Sequence, residues 1–321
     1  MQKKSFNDLL KAKKNSNILD GIYWIFRWLL ILSVGYIILF PLFKMISTSF
    51  KTQAQLLNPS VIWIPTEFKF DNFKYAWEVV EYGKAFFATL RINVLSALVQ
   101  VLTCSLTAYG FARFKVKFKG LWTAILMLTI IVPPQMIGIS TYISFRNFDI
   151  LGILGFIEKI FNVQLKPNLI NTAWSFVLPS IFSVGLKSGL ITYIYIQFFK
   201  GLPKELEEAA YIDGANAFKT FLAIVWPSSG VAILTVSIFS IVWYWNECYL
   251  SVLYFSKNIT LAPILSGLQD YLINNGITNE NASMAGIVMA ACLLFVLPIL
   301  IMYLILQKQF IQSISRVGIV G

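Results

Sequence analysis

Three acidic side chains fall within four residues on the stretch from 203 to 214. They are Glu205, Glu207 and Glu208, and they follow Pro203, which suits the first position of a helix. Carboxylates in the first turn of a helix are favoured by the positive end of its dipole. The chemistry that such residues offer is polar contact with a partner through an exposed, acidic helix.

The residues that follow these glutamates in the sequence predict a helix–turn–helix. Ala209 and Ala210 form a small surface that another backbone can approach closely, and Asp213-Gly214 is typical of a turn. A second short helix is expected from Ala217 to just before Pro227. Two interpretations follow: an amphipathic connector that lies at a membrane surface, or a docking element for a cytoplasmic partner.

Enzyme and metal chemistry have little support in the sequence. The 321 residues contain no histidine, which removes His-based catalysis, His metal sites and imidazole pH switches. The cysteines Cys104, Cys248 and Cys292 are far apart and form no CxxC pair, so neither a metal site nor a disulfide framework is indicated. There is no GxxxxGK[ST] for a nucleotide. We expect no catalytic residue, no metal and no cofactor in this chain.

The composition is that of a membrane protein. Hydrophobic residues make up 57% of the chain and charged residues 13%, against roughly a quarter charged in soluble domains. This excludes disorder, a secreted disulfide scaffold and a DNA-binding domain. The net charge of +11 reflects the Lys and Arg that membrane proteins keep on cytoplasmic loops. We therefore expect contact with membrane lipid and none with nucleic acid.

Six apolar runs are each long enough to cross a bilayer, which needs roughly twenty residues. The predicted fold is therefore all-α, a polytopic membrane protein with six transmembrane helices. Lys and Arg are densest in the N-terminal segment and the short loops of one side, so both termini are predicted to be cytoplasmic. The predicted spans are 22–45, 92–112, 121–143, 174–199, 230–250 and 285–306.

These spans divide the chain into five parts. A cytoplasmic segment, 1–21, precedes the first span, and an outer loop with an amphipathic helix occupies 46–91. A five-helix core, 92–306, includes the loop 200–227, and a cytoplasmic tail follows at 307–321. The outer loop 144–172 carries an amphipathic piece but no motif that predicts its role.

The stretch from 208 to 227 resembles the EAA loop of permease subunits from binding-protein-dependent ABC importers. The residues that carry this resemblance are Glu208-Ala209-Ala210, Asp213-Gly214-Ala215, Phe221, Ile224 and Pro227. Nearly the whole chain resembles the maltose-type carbohydrate branch of these permeases. The supporting motifs are Ser49-Phe50-Lys51, Trp63-Ile64-Pro65, Asp71-Asn72-Phe73 and Trp245-Asn246-Glu247. The chain departs from the family pattern at Val231 and Val320, where proline and lysine are usual.

This resemblance implies an ABC importer type I permease fold and the ATP-driven import of a sugar or oligosaccharide. It implies four kinds of partner: two nucleotide-binding ATPase subunits, which would bind ATP and Mg, a second homologous permease subunit, an extracytoplasmic sugar-binding protein, and the lipid of a bacterial plasma membrane. The residues that would couple to the ATPase are Glu205, Glu208, Ala209, Ala210, Asp213, Gly214 and Ala215.

Substrate contacts are expected in the fourth and fifth spans. Rings stack on sugars, while amide and carboxylate groups bind hydroxyls, so Tyr244, Trp245, Asn246 and Glu247 could line a pathway. An interfacial aromatic belt is the alternative for Trp245. Lys187 lies near the middle of the predicted fourth span, where a charge costs about 2.5–3.5 kcal/mol, so we expect it to face a cavity or a subunit interface rather than to snorkel.

Two other classes of protein remain as alternatives. A secondary transporter would need an intramembrane carboxylate for ion coupling, and a membrane enzyme would need a catalytic cluster. Deletion of the acidic helix separates these cases, because only an ABC permease should lose its ATPase. The sequence also places Pro133-Pro134 inside the third predicted span, which must be interrupted there.

Overall fold

The computed structural model describes residues 6–257, 259–276 and 282–317. The ends of the predicted N-terminal segment and tail, 1–5 and 318–321, lie outside the described residues, as do 258 and 277–281, between the fifth and sixth predicted spans. The chain divides into two compact units, residues 1–75 with 277–293 and residues 76–276 with 294–321.

The described residues fold into α-helices joined by turns and loops. A π-helical turn, Phe221–Val225, connects the eleventh helix to the twelfth. The helices are α1 (Phe6–Ser49), α2 (Gln53–Leu57), α3 (Asp71–Val79), α4 (Tyr82–Arg113), α5 (Lys119–Ile131), α6 (Pro134–Arg146), α7 (Ile153–Phe161), α8 (Trp174–Ile181), α9 (Ser188–Gly201), α10 (Glu205–Ile212), α11 (Ala217–Thr220), α12 (Trp226–Ser228), α13 (Gly230–Trp245), α14 (Tyr249–Tyr254), α15 (Leu261–Ser266), α16 (Leu268–Asn274) and α17 (Met284–Val317).

Three of the described helices are long and apolar enough to cross a membrane. These stretches are Tyr23–Ser49 in α1, Tyr82–Arg113 in α4 and Met284–Gln309 in α17. Two bent pairs meet the same criterion together, α5 with α6 and α11–α12 with α13, so the number is five if each pair forms one span. The chain is therefore a helical, multi-pass membrane protein, and the count of six spans with cytoplasmic termini stays a prediction.

The third predicted span consists of two helices, α5 and α6, bent by 97°. Pro133 has an extended backbone, with φ −72° and ψ 144°, and Pro134 is the first residue of α6. Neither proline can donate a helical hydrogen bond, so α5 ends and a new helix begins. The predicted interruption is confirmed, and the bend is much larger than a kink within one straight helix.

The fourth predicted span, 174–199, is wrong as a continuous helix. α8 ends at Ile181 and α9 begins at Ser188. Between them, Ser183 and Lys187 have φ angles of 57° and 56°, a left-handed backbone that an α-helix does not contain. Lys187 therefore lies at the N-terminal end of α9, in the break, rather than in the middle of a continuous helix.

Side chains from other helices stabilise this break by bonding the polar groups that it frees. Nε2 of Gln100, in α4, donates to the carbonyl of Leu186 at 2.6 Å and to Oγ of Ser188 at 2.7 Å. The Tyr244 hydroxyl, in α13, accepts a bond from the Leu186 N–H at 3.3 Å and lies 2.7 Å from Oγ of Ser180. The break thus depends on tertiary contacts.

α4 is the central helix of the second unit, where it packs against α8, α9 and α13. Its C-terminal half forms a buried core with α9, the π-helical turn and α13. The buried members of this core are Val101, Cys104, Ala108, Tyr109, Ile191, Tyr195, Ile196, Phe199, Phe221, Val225, Ala232 and Val236. This core holds the end of α4 beside the loop that contains α10.

In the first unit, residues from two of the predicted outer-loop motifs meet at Asn72, and the third motif is bonded to the end of α1. Its Nδ2 donates to the carbonyls of Ser49 and Lys51, each at 2.9 Å, and its Oδ1 accepts a bond from the Ser283 N–H at 3.0 Å. Ser47 donates from its hydroxyl to the carbonyl of Trp63. These bonds explain why short motifs spaced along the sequence belong to one structure.

Lys51 is buried within the same unit, with 3% of its surface exposed. Its ammonium donates to the carbonyls of Val61 and Ile62, at 3.0 and 2.8 Å. Burial lowers the pKa of this ammonium below its ordinary value, because the charged form loses its hydration. Lys51 therefore fixes the path of the outer loop rather than providing surface charge.

Candidate functional site

The predicted helix–turn–helix lies between α9 and α13, but its second part does not stop before Pro227: the π-helical turn leads into α12, which contains that proline in its first turn, where no helical hydrogen bond from its nitrogen is needed. α10 ends in a turn in which the Ala215 N–H donates to the carbonyl of Ala210 at 2.9 Å and the Gly214 N–H donates to that of Tyr211 at 3.1 Å. This pair of bonds is a Schellman motif. Gly214 has a φ of 80°, a left-handed backbone that favours glycine because it lacks a Cβ.

The second helix of the motif is capped by Asn216, which our sequence analysis did not single out. Its Oδ1 accepts a bond from the Lys219 N–H at 2.8 Å. Asparagine is among the most favoured N-cap residues, so its position before Ala217 was a usable signal. Asp213, the first residue of the predicted turn, is exposed at the C-terminal end of α10.

One face of α10 is open to solvent. Glu205, Glu208 and Ala209 are exposed on it, and Ile212 is 86% exposed. The exposed large apolar side chains of this loop are Leu206, Tyr211, Ile212, Phe218 and Leu222. Exposed apolar side chains with polar neighbours are typical of a surface that a protein partner or a membrane covers.

The opposite face of α10 is bonded to the C-terminal end of α4. Oε1 of Glu207 lies 2.5 Å from Nε of Arg113, and the two side chains are only 8% and 9% exposed. The hydroxyl of Tyr109 donates to Oε2 of Glu207 at 3.0 Å. Nη2 of Arg113 donates to the carbonyl of Leu202 at 2.9 Å. Both oxygens of the carboxylate and two nitrogens of the guanidinium are therefore bonded within the protein.

The sequence predicts Glu207 in the first turn of the helix but does not predict this contact. Its partner Arg113 is 94 positions away in the sequence, so no local pattern pairs them. Helical spacing carried a partial signal, because Glu207 shares one face of α10 with Ala210 and Tyr211 at i+3 and i+4. Ala210, only 6% exposed, is on this inner face.

The predicted small surface is consequently divided between the two faces of α10. Ala209 is exposed, whereas Ala210 is buried within the chain. Ala215 is half-buried and closes the turn through its N–H. Of the two alanines, Ala209 is the one that a partner can reach.

Among the predicted pathway residues, Tyr244 and Trp245 are each 3% exposed. The indole N–H of Trp245 donates to the carbonyl of Phe295 at 3.1 Å, and its ring packs against Phe86 and Phe295. A buried tryptophan of this kind is not part of an interfacial belt. The two side chains hold helices of the second unit together.

The other pathway candidates lie at helix ends. Asn246 is exposed, and its Nδ2 donates to the carbonyl of Val242 at 2.8 Å. Glu247 is half-buried, and its Oε1 accepts a bond from the Leu250 N–H at 2.7 Å at the start of α14. Its charge interacts with that of the exposed Lys187. The break between α8 and α9 and the end of α13 therefore place opposite charges in the same region.

Metal chemistry has no support in the described ranges, where no group of three or more Cys, Asp or Glu side chains could hold an ion. What the arrangement offers instead is a helix with an open acidic and apolar face whose other face is bonded to a membrane-spanning helix. Such an arrangement suits a contact that passes movement between subunits.

Residues 100–316, more than half of the chain, match the family described as binding-protein-dependent transport system inner membrane component. The chain belongs to this family. The match covers α10, the turn at Gly214 and the helices that hold them. The predicted resemblance to ABC importer permeases is confirmed.

Curated relatives of this permease extend over most of its length. The melibiose/raffinose/stachyose import permease protein MelC of Bacillus subtilis (strain 168) is 30% identical over 285 residues, which cover 88% of the permease and 91% of MelC. The probable starch degradation products transport system permease protein AmyC of Thermoanaerobacterium thermosulfurigenes is 26% identical, with 85% and 89% covered. Both relatives are transport permeases and not enzymes.

A solved structure has the same fold. It is the crystal structure of a bacterial ABC transporter involved in the import of the acidic polysaccharide alginate, with a TM-score of 0.64 and 16% identity over 97% of the permease. Together with the apolar helices α1, α4 and α17, membership of this family makes the permease a multi-pass protein of the bacterial plasma membrane.

Proposed function

We propose that this permease is a subunit of an ATP-driven importer that moves a sugar or oligosaccharide across the bacterial plasma membrane. The observation that carries the proposal is the division of α10 into an open face, with Glu208 and Ala209, and a face bonded to α4 through Glu207. The names of MelC and AmyC support a carbohydrate as the transported class.

In this proposal the open face of α10 docks on a partner ATPase. Glu208 and Glu205 make polar contacts in the ATPase cleft, and Ala209 allows close approach. Gly214 supplies the turn, with Asp213 and Ala215 on either side of it, and Ala210 packs the helix on its own subunit. Two such ATPase subunits bind ATP and Mg, a second homologous permease completes the membrane pore, and an extracytoplasmic binding protein delivers the sugar.

The same proposal treats the broken pair α8 and α9 as the fourth span. It gives six crossings, with both termini and the α10 loop in the cytoplasm. The substrate pathway then includes Lys187, Asn246 and Glu247, because ammonium, amide and carboxylate groups can all bond to sugar hydroxyls. Tyr244 and Trp245 act there by positioning the helices.

The test is affinity purification of the permease from its own host in mild detergent, with mass spectrometry of the proteins that co-elute. We expect a P-loop ATPase and a second permease, and loss of the ATPase with Glu208→Arg. Glu78→Arg is the matched control, since Glu78 is an exposed glutamate on α3. A permease that elutes alone after crosslinking would contradict the proposal and would favour a secondary transporter.

A further inference from the structure

We propose that the buried pair Arg113–Glu207 is a positioning pair that makes α10 and α4 move together, so that nucleotide-driven movement of α10 reaches the break beside Lys187. This inference rests on the proposed function, because it assigns a route to the movement that the ATPase would produce.

The burial of the pair separates it from the other ion pairs of the described residues. Lys69–Glu67, Lys84–Glu81 and the pairs of Lys166 with Asp149 and Glu158 each have side chains from about a fifth to more than four fifths exposed. In Arg113–Glu207 both side chains are less than a tenth exposed. Among the ion pairs of the described residues, it is the one that joins a membrane-spanning helix to the α10 loop.

Burial also indicates what the pair does. Taking two charges out of water costs free energy that their attraction roughly repays, so a buried pair contributes little to stability compared with an apolar pair. Separating the charges, however, leaves each one buried and unpaired, which is strongly unfavourable. The pair therefore resists any movement of α10 away from α4 much more than it stabilises the fold.

Three further bonds reinforce this attachment. Arg113 holds the carbonyl of Leu202 just before α10, and Tyr109, one turn earlier in α4, donates to Glu207. The hydroxyl of Tyr109 also lies 3.4 Å from that of Tyr211, near the end of α10. Both ends of α10 are thus attached to the last turns of α4.

At the other end of this route is Gln100, which is also in α4. At a rise of 1.5 Å per residue, Gln100 lies about 20 Å along α4 from Arg113. It bonds to Leu186 and Ser188, on either side of Lys187. A shift of α4 must therefore move the break, because the helix connects the two sets of bonds without interruption.

The experiment measures whether nucleotide changes the accessibility of the break. Val184 lies in the break, and its side chain is 68% exposed. It is not one of the residues that we propose to line the substrate pathway. It is replaced by cysteine in a background of Cys104→Ala, Cys248→Ser and Cys292→Ser, in the complete complex purified with its ATPase. The rate of maleimide labelling is then compared with and without MgATP and vanadate.

We expect nucleotide to change the labelling rate on the order of five-fold or more. Arg113→Glu and Glu207→Arg should each abolish this change while the ATPase still co-elutes, and the double reversal should restore it. Lys84→Glu, in the exposed pair with Glu81, is the matched control and should leave the change intact. If the single reversals prevent assembly, Tyr109→Phe removes one bond to Glu207 and should reduce the response.

Three results would overturn the inference. In the first, the wild-type complex binds its ATPase but its labelling rate does not change with nucleotide. In the second, the labelling rate of the single variants changes as much as that of the wild type. In the third, the labelling rate of the double reversal does not change with nucleotide. An unchanged response of Tyr109→Phe would do the same where the reversals do not assemble. Absence of any co-eluting ATPase from the wild-type preparation is a different result, which contradicts the proposed function itself.

Discussion

Nε of Arg113 and Oε1 of Glu207 are 2.5 Å apart and join the last residue of α4 to the first turn of α10. The next residue, Glu208, faces solvent. Two neighbouring glutamates thus have opposite environments, one neutralised inside the subunit and the other free for a partner. This contrast allows the structural and the docking roles of the helix to be tested separately.

Glu207→Gln should lower the stability of the permease, whereas Glu208→Gln should weaken its binding to the ATPase. Glu207→Gln leaves Arg113 buried without its counter-charge, which costs about 3–5 kcal/mol, so the apparent unfolding temperature in detergent should fall by several degrees. Glu208→Gln should leave that temperature unchanged and weaken ATPase co-elution. Thermal unfolding and co-purification measure the two effects. Equal effects of both variants on both measurements would contradict the division of α10 into two faces.

Gly214→Ala should destabilise the turn after α10. With φ at 80°, an alanine at this position pays about 1 kcal/mol or more for the left-handed backbone. Gly201→Ala is the control, because that glycine has no positive φ and its added Cβ would meet no atom within 4 Å. Hydrogen exchange of the amides of Gly214 and Ala215 should quicken only in the first variant. Similar protection in both would show that glycine is not required in this turn.

The parts of this loop that sequence predicts are those that local chemistry determines. The glutamates and Asp213-Gly214 specify a first turn and a stop, and both are found where they were expected, whereas Pro203 lies two residues before the first residue of α10 rather than at its first position. The pairing of Glu207 with Arg113 was not predictable, because it depends on how α4 packs. The family resemblance identified the loop but did not distinguish its two faces.

The fourth predicted span also shows that a local sequence pattern does not reveal contacts between distant residues. The apolar run from 174 to 199 predicts one helix, since hydropathy does not record which backbone groups other helices will satisfy. Gln100 and Tyr244 supply those bonds, so the chain can leave the helix at Ser183 and Lys187. In the third span the interruption was predictable, because Pro133 and Pro134 break a helix by their own geometry.

Gln100→Leu should therefore weaken the break between α8 and α9. The side chain is fully buried, and its removal leaves the Leu186 carbonyl and the hydroxyl of Ser240 without a partner. Each buried polar group left unpaired costs about 1–3 kcal/mol. Limited proteolysis of residues 182–187 should become faster than in the control Leu98→Ala, whose leucine is 59% exposed on the same helix. Equal cleavage rates would show that Gln100 does not hold the break.

The loop that contains α7, residues 144–172, should open in acid. Glu158 accepts bonds from the N–H groups of Leu165 and Lys166, at 2.8 and 2.9 Å, and these bonds lower the pKa of its carboxyl below the ordinary value of 4.5. A lowered pKa in the folded loop means that the stabilisation is complete above pH 4.5 and is lost as the pH falls through the folded value.

Hydrogen exchange of the Leu165 and Lys166 amides, corrected for intrinsic rates, should lose protection below that pH. Glu158→Gln should be less protected at neutral pH and should lose less protection in acid, because the Asp149 carboxylate, which accepts bonds from the Leu154 and Gly155 N–H groups, still titrates in the same loop. Glu67→Gln is the control, since Glu67 is an exposed acid in a different loop that forms an ion pair of 3.5 Å with Lys69. Protection of Leu165 that persists unchanged in acid would show that the carboxylate does not hold the loop closed.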